Sequence, residues 1–150
     1  MRTKQQGMWL LGLMCAAAVQ AADPAGTIKS LKGSAHIERG KERVEAAVGT
    51  PLQTQDRLVS GPASGVGITL RDSTLLTLGA NSTIELNKYA FDRNTNVGQM
   101  DTSVKRGTLS VVSGQIAKHN PNEVVFRTRT VTLGVRGTEF IIDVGEEAAR

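Results

Sequence analysis

The sequence predicts an all-β protein: a single domain of short strands that folds as a β-solenoid-like roll or a sandwich. Apolar and polar residues alternate in several short runs, turn-forming residues close each run, and no segment has the pattern of a three-turn helix. Strands that begin roughly every 8–12 residues, with turns between them, are typical of sandwiches and barrels.

A secretory signal peptide is predicted over residues 1–21. Arg2 and Lys4 give a basic start, an uncharged apolar run follows, and small residues stand at the expected cleavage point. We expect cleavage near Ala21 or Ala22 and export to the periplasm. The apolar run is short for a bilayer span, so we expect no stable membrane insertion after cleavage. A short membrane anchor kept on the mature protein is the competing interpretation.

The strands are predicted in chain order from the alternation, because a period of two places one set of side chains in a core and the other in water. The alternating runs are residues 28–31, 66–70, 76–78, 84–86 and 131–133. Turn residues follow at Lys32-Gly33, Arg39-Gly40, Gly61-Pro62, Arg71-Asp72-Ser73, Gly79-Ala80-Asn81 and Asn120-Pro121. We expect one domain over residues 25–144, followed by a tail at residues 145–150.

Composition narrows the function classes. Cys15 is the only cysteine and lies in the predicted signal peptide, so the mature chain can form neither a disulfide nor a thiolate metal site. Removing Arg2 and Lys4 from the 18 basic residues leaves 16 against 14 acidic ones, a net charge of +2. That excess is too small to indicate nucleic-acid binding, and we expect no nucleic-acid partner.

The reactive side chains do not form a catalytic pattern. His36 and His119 lie far apart in the sequence without a carboxylate at metal-ligand spacing, and we expect both at the surface. No serine stands in a nucleophile elbow. The carboxylates are scattered, and a glycosidase pair drawn from distant strands stays open as an alternative. We therefore expect neither an enzyme nor a cofactor.

Arg127, Arg129 and Arg136 form the most interesting polar cluster. Arg127 and Arg129 are expected to project to one side of an extended segment, where guanidinium groups could bind carboxylates or phosphates in bidentate fashion. Solvated charges that protect an edge strand from aggregation explain the same pattern equally well. The sequence thus gives a candidate binding surface with a structural alternative.

Aromatic residues are scarce, which bears on the ligand class. Only Tyr89, Phe91, Phe126 and Phe140 remain after the predicted signal peptide. Binding sites for sugars usually rely on aromatic platforms, so a flat protein surface or a sheet edge that pairs with a partner strand fits better.

Several motifs resemble the FecR domain, a periplasmic module that is named after the iron-transport signalling regulator. Residues 128–140, Thr-Arg-Thr-Val-Thr-Leu-Gly-Val-Arg-Gly-Thr-Glu-Phe, are similar to the signature Thr-Pro-x-Ala-x-Ile-Gly-Val-Arg-Gly-Thr-x-Phe. Residues 70–82 resemble the family's Asp-Gly-Ser hairpin and its Leu-Gly-x-Asn-Ser continuation. Val48-Gly49-Thr50-Pro51-Leu52 and Arg106-Gly107-Thr108-Leu109 fit as well, so the likeness covers the predicted mature chain.

The resemblance implies structural roles for its motif residues. Glycines 107, 134 and 137 are expected where a β-carbon would clash or where φ is positive, and Leu133, Val135 and Phe140 are expected in the core. The expected motif residues are Asp72, Gly107, Gly134, Gly137, Thr138 and Phe140. Ser73 and Arg129 depart from the pattern, since the family usually has Gly and Pro there. The family also often continues with further strands after the segment that corresponds to residues 141–144.

The resemblance implies a non-enzymatic periplasmic protein that acts as an interaction module in the cell envelope, with a link to signalling or regulation. We expect an envelope protein as its partner. Transmembrane control of a sigma factor by this chain alone is in doubt, because a signal peptide stands in place of the cytoplasmic and membrane-spanning segments. A module that binds glycan or peptidoglycan is the alternative, and the sequence does not indicate an oligomeric state.

Overall fold

The computed structural model describes residues 23–145, so the predicted signal peptide lies outside the described residues, as does the tail after Gly145. One short helix, α1 (Gln115–His119), precedes a 3-10 turn at Pro121–Glu123. The strands are β1 (Gly26–Lys32), β2 (Ala35–Arg39), β3 (Glu42–Glu45), β4 (Pro51–Leu52), β5 (Arg57–Ser60), β6 (Gly65–Leu70), β7 (Leu75–Leu78), β8 (Thr83–Phe91), β9 (Gly98–Arg106), β10 (Thr108–Val112), β11 (Val124–Arg127), β12 (Thr132–Gly134) and β13 (Glu139–Asp143).

The strands form two sheets, which confirms the all-β prediction. The six-stranded sheet has the order β13-β10-β7-β6-β1-β4, and the seven-stranded sheet has the order β12-β11-β9-β8-β5-β2-β3. Neighbouring strands run antiparallel except β9 and β11, which are parallel. Within residues 23–145 no helix is long and apolar enough to cross a membrane.

Alternation of apolar residues explains how each sheet contributes to one core. In β6, Val66, Ile68 and Leu70 are buried while the residues between them are partly exposed. Burying such a side chain contributes about 1.5–3 kcal/mol relative to leaving it in water. Ile84 and Leu86 of β8 supply the opposite sheet in the same way, and side chains from both sheets belong to a single cluster.

The turn between β6 and β7 has a backbone conformation that favours glycine, the residue usual at this place in the FecR pattern. Ser73 has φ of +68°, a left-handed conformation that residues with a β-carbon adopt at a cost. The turn nevertheless closes, because the Ser73 N–H donates to the Leu70 carbonyl at 3.0 Å. The departure at Ser73 therefore keeps the turn and adds local strain.

Two edge strands lie at the same side of the molecule. β12 is the edge of the seven-stranded sheet and β13 is the edge of the six-stranded sheet. Residues 135–138 connect them, so the segment that resembles the FecR signature passes from one sheet to the other. The candidate functional site lies at this crossing between β12 and β13.

Candidate functional site

A groove lined by both apolar and polar side chains lies where the edges of the two sheets meet. Its volume is about 390 Å³, and we call it the edge groove; its lining residues are Thr128, Thr130, Val131, Leu133, Ile141, Ile142, Asp143 and Val144. Val131 is 49% exposed, Leu133 37% and Ile141 69%. Large apolar side chains in contact with water at one place are characteristic of interaction sites.

The hairpin turn at residues 128–131 fixes the first wall of the groove. The Thr128 N–H donates to the Val131 carbonyl at 2.8 Å, and the Val131 N–H donates to Thr128 Oγ1 at 3.1 Å. These bonds set the register in which Phe126 stands opposite Leu133. A hydroxyl residue at Thr128 thus supports the strand that carries Leu133.

Backbone groups on both walls face away from their own sheets. Hydrogen-bonded and non-hydrogen-bonded pairs alternate along an antiparallel pair, and Thr128 with Val131 form a bonded pair. Counting along the register, Thr132 and Gly134 direct their N–H and C=O groups outward from β12. The same count on β13, from the bond between Val144 N–H and the Gly107 carbonyl, turns the backbone of Ile141 outward.

A pair of aromatic rings connects β11 with β13. Phe126 of β11 and Phe140 of β13 pack edge to face, with ring centroids 5.3 Å apart and an interplanar angle of 77°. Phe126 is fully buried and Phe140 only partly. Edge-to-face packing is a favoured aromatic geometry, so this contact helps to hold β13 against β11.

The three predicted arginines do not form one binding surface. Arg127 ends β11, and its Nε lies 2.9 Å from Asp101 Oδ2 on the neighbouring β9, so its guanidinium is already engaged. Arg129 lies in the turn after the strand, and Arg136 lies in the connection between β12 and β13. The prediction that Arg127 and Arg129 project from one extended segment is wrong, because the strand ends between them.

The glycine predictions are correct at one position and wrong at two. Gly107 has φ of +79°, and a β-carbon there would lie 2.7 Å from Ser82 Cα. Around Gly134 and Gly137 a β-carbon would meet nothing within 4 Å, and neither residue has a positive φ. Both glycines lie in exposed edge segments, so neither clash nor strain requires them.

The other motif residues in this segment divide between core and surface. Val135 is buried as predicted, whereas Leu133 lines the edge groove and is 37% exposed, which corrects its assignment to the core. Thr138 is exposed, and its carbonyl accepts a hydrogen bond from the Ser113 N–H at 2.8 Å. An edge strand leaves inward-facing residues such as Leu133 without a covering neighbour, which alternation in the sequence does not indicate.

Asp72 organises a buried polar network away from the groove. Its side chain is buried and accepts hydrogen bonds from Tyr89 Oη at 2.9 Å and Thr74 Oγ1 at 2.7 Å. It also accepts one from the Ile116 N–H at 3.2 Å, at the start of α1. The sequence placed Asp72 in a turn, and the structure adds contacts from its side chain to β8 and α1.

Tyr89 is the phenolic partner in that network. Burial raises the pKa of Tyr89 well above its ordinary value, and the neighbouring Asp72 carboxylate raises it further. The side chain of Arg71 lies over the ring, 5.7 Å from its centroid. Tyr89 is therefore a neutral hydrogen-bond donor under ordinary conditions.

The two histidines lie apart from the edge groove and from the buried network around Asp72. His119 is exposed at the end of α1, while His36 is half-buried with its Nε2 3.6 Å from Glu38 Oε1. Among residues 23–145 no group of three or more His, Cys, Asp or Glu side chains is placed to hold a metal ion.

The sequence pattern contained one unused signal for the groove. Ile141 and Ile142 are adjacent apolar residues in a strand, so one of them has to face outward. Ile142 is buried and Ile141 is exposed. Such a break in alternation, next to a predicted edge, indicates a contact surface.

A family model described as FecR protein matches residues 56–150 of this chain. The matched range contains β5 to β13 and all the residues that line the edge groove. No curated protein and no solved structure matches the chain.

Proposed function

This chain belongs to the FecR protein family, and we propose that it is a non-enzymatic protein-interaction module of the bacterial cell envelope. In this proposal the signal peptide at residues 1–21 exports it to the periplasm. The edge groove there binds an extended segment of an envelope protein. Family membership supports, at a coarse level, a signalling or regulatory role in the envelope.

The observation that carries the proposal is the coincidence of outward backbone groups with exposed apolar side chains. A segment that adds a strand to a sheet edge gains main-chain hydrogen bonds, and side-chain pockets give it specificity. Thr132 and Gly134 offer the hydrogen bonds on β12, while Val131, Leu133 and Ile141 offer apolar contact. The partner segment in this proposal is extended and carries apolar residues at alternate positions.

Two basic side chains at the ends of β12 would attract an acidic residue of the partner, while Asp143, which lines the groove itself, would repel one. Arg129 and Arg136 are both exposed at the ends of β12. Opposite charge at the rim of an interface raises the association rate more than it raises the affinity. Their part is therefore to steer the partner, while the backbone edge and Leu133 hold it.

Photocrosslinking in living bacteria tests the proposal. A photoreactive amino acid at Ile141, 69% exposed, is compared with the same residue at Val48, 65% exposed and in the connection between β3 and β4. We expect a protein adduct from position 141 and none from position 48. Equal adducts, or recovery of muropeptides in place of protein, would contradict the proposal.

A matched pair of proline variants separates binding from folding. Thr132→Pro removes an outward N–H from β12, and Arg43→Pro removes an equivalent outward N–H from β3 at the opposite edge of the same sheet. Proline is tolerated at edge positions whose N–H faces solvent. We expect Thr132→Pro to abolish the adduct from position 141, and Arg43→Pro to leave it unchanged.

A further inference from the structure

A second cleft, distant in sequence from the edge groove, gathers basic side chains. It has a volume of about 630 Å³ and lies against the outer face of β1 and β6, where Thr27 and Thr69 line it. Lys29, Arg71 and Arg93 line it as well, and Asp23 is the one carboxylate that lines it within the described part of the chain. We call it the cationic cleft.

Arg71 is held in place by its surroundings before any ligand arrives. Its backbone N–H donates to the Ala25 carbonyl at 2.9 Å, and its guanidinium lies over the Tyr89 ring at 5.7 Å from the centroid. The next residue, Asp72, is anchored in the buried network. A guanidinium that is positioned by backbone and ring contacts loses little freedom when it binds.

The hydrogen-bonding capacity of Arg71 is largely unused. Its Nε is buried and has no hydrogen-bond partner among residues 23–145. The nearest carboxylate oxygen, Oδ2 of Asp23, is 3.8 Å from Nη1, and the Asp23 side chain is 85% exposed. A guanidinium has five N–H donors, and a buried donor without an acceptor costs free energy. The site therefore lacks an acceptor.

Charge in the cleft points to the same missing group. Three cations face one exposed carboxylate, so a bound anion would offset their mutual repulsion. A pair of oxygens on one atom matches the fork of a guanidinium and accepts two parallel hydrogen bonds from it. We propose that the cationic cleft binds the oxyanion group, carboxylate or phosphate, of a small ligand, with Arg71 as its main contact.

An adjoining cleft leaves room for the body of such a ligand. It has a volume of about 810 Å³, shares Asp23 and Arg71 with the cationic cleft, and is lined by apolar side chains that include Phe91 and Val97. Asn120 also lines it, and its Nδ2 is buried without a hydrogen-bond partner in the described range 23–145. Asp92 and Glu123 make this adjoining cleft acidic. The oxyanion therefore belongs in the cationic cleft, and the neutral part of the ligand belongs in the adjoining cleft.

Nuclear magnetic resonance titration of the purified, isotope-labelled protein tests the proposal. The probes are inorganic phosphate, acetyl-alanyl-alanine with a free carboxylate, and the same dipeptide as its amide. We expect a saturable shift of the Arg71 Nε–H signal with phosphate or with the free carboxylate, and none with the amide. Tighter binding of the dipeptide assigns a carboxylate ligand, and tighter binding of phosphate assigns a phosphorylated one.

Variants make the result specific. Losing a charge-assisted bidentate contact should weaken binding by about tenfold or more in Arg71→Gln. Arg93→Gln, at an exposed position, should weaken it without affecting folding. Arg43→Gln is the control, because Arg43 is 65% exposed on β3 and does not line the cleft. The absence of a saturable shift with either anion would overturn the proposal. So would affinities of Arg71→Gln and Arg93→Gln that equal the affinity of the unaltered protein. Either result would leave the edge-groove proposal untouched.

Discussion

At the residue scale, Asp72 shows how one buried carboxylate joins three parts of the chain. The carboxylate lies in the turn after β6, and its donors come from β8, from the residue before β7 and from the start of α1. Hydrogen bonds to charged groups contribute about 1.5–3 kcal/mol each when they are well formed. Removing the carboxylate leaves several buried donors without an acceptor, so its role is structural.

Tyr89 gives a direct measurement of this network, because it is the one tyrosine in the sequence. Its folded-state pKa is raised, so the native state keeps the phenolic proton that an unfolded chain loses at about pH 10. The contribution of Tyr89 to the free energy of unfolding is therefore fully present below about pH 10, and it is lost as the pH rises further. We expect phenolate absorbance to appear only when circular dichroism reports unfolding.

The control for that titration is the protein in urea, where Tyr89 should ionise with an ordinary pKa. The Tyr89→Phe variant should retain more of its neutral-pH stability in alkali than the unaltered protein does. Ionisation of Tyr89 at its ordinary pKa, with the native dichroism intact, would show that the hydroxyl is not buried against Asp72.

Gly107 and Gly137 give a matched pair of glycine substitutions. Gly107→Ala forces a β-carbon into a left-handed conformation and against Ser82, so we expect a loss of about 1–3 kcal/mol in the free energy of unfolding. Gly137→Ala meets open space, so its effect should stay within about 0.5 kcal/mol. Urea denaturation of both variants measures the difference, and equal losses would contradict it.

At the scale of elements, the parallel pair of β9 and β11 depends on side chains as well as on backbone bonds. Arg127 of β11 places its Nε 3.1 Å and 2.9 Å from the two carboxylate oxygens of Asp101 on β9. Asp101 also accepts a hydrogen bond from Asn87 of β8 at 2.9 Å. Three neighbouring strands are linked through one carboxylate.

A charge reversal tests that link. Arg127→Glu places a second carboxylate beside Asp101, and we expect a loss of about 1 kcal/mol in the free energy of unfolding, the scale of a partly exposed ion pair. Combining it with Asp101→Arg should restore part of the loss. Thermal unfolding of the single and double variants measures the coupling. Independent, additive effects of the two changes would rule out a direct interaction.

At the scale of the whole molecule, β1 and β2 are interior strands of the two sheets, each one position from an edge. β1 lies between β6 and β4, and β2 lies between β5 and β3. These strands precede the range that the family model matches, which begins at Asp56. Arg39 of β2 also binds the buried Asp56 carboxylate, with Nη2 2.7 Å from Oδ2. The matched range alone is therefore an incomplete fold.

Deletion of residues 23–55 tests this dependence. The deletion exposes the paired sides of β5 and β6 and removes core residues such as Ile28, Ile37 and Leu52. We expect the shortened chain to lack a cooperative unfolding transition and to aggregate, because open strand edges pair with other chains. A soluble monomer with native-like dichroism would show that β5 to β13 fold independently.

The sequence by itself determined the fold class, because alternation and turn residues are local properties of the chain. The period of two in β6 and β7 appears in the residues and again in their burial. The FecR resemblance rested on contiguous motifs, and the family match over residues 56–150 confirms it. The positive φ at Gly107 followed from the same motifs.

Only the tertiary structure decided which strands are edges and what covers each side chain. Leu133 has the alternation of a core residue, yet it lines a groove because β12 has no neighbour on its outer side among the described residues. From the sequence, Arg127 is a candidate for binding a ligand, but in the structure its guanidinium binds Asp101, which lies 26 positions earlier in the chain. Edge position and ion pairing depend on contacts between residues far apart in the chain, and local patterns carry no information about them.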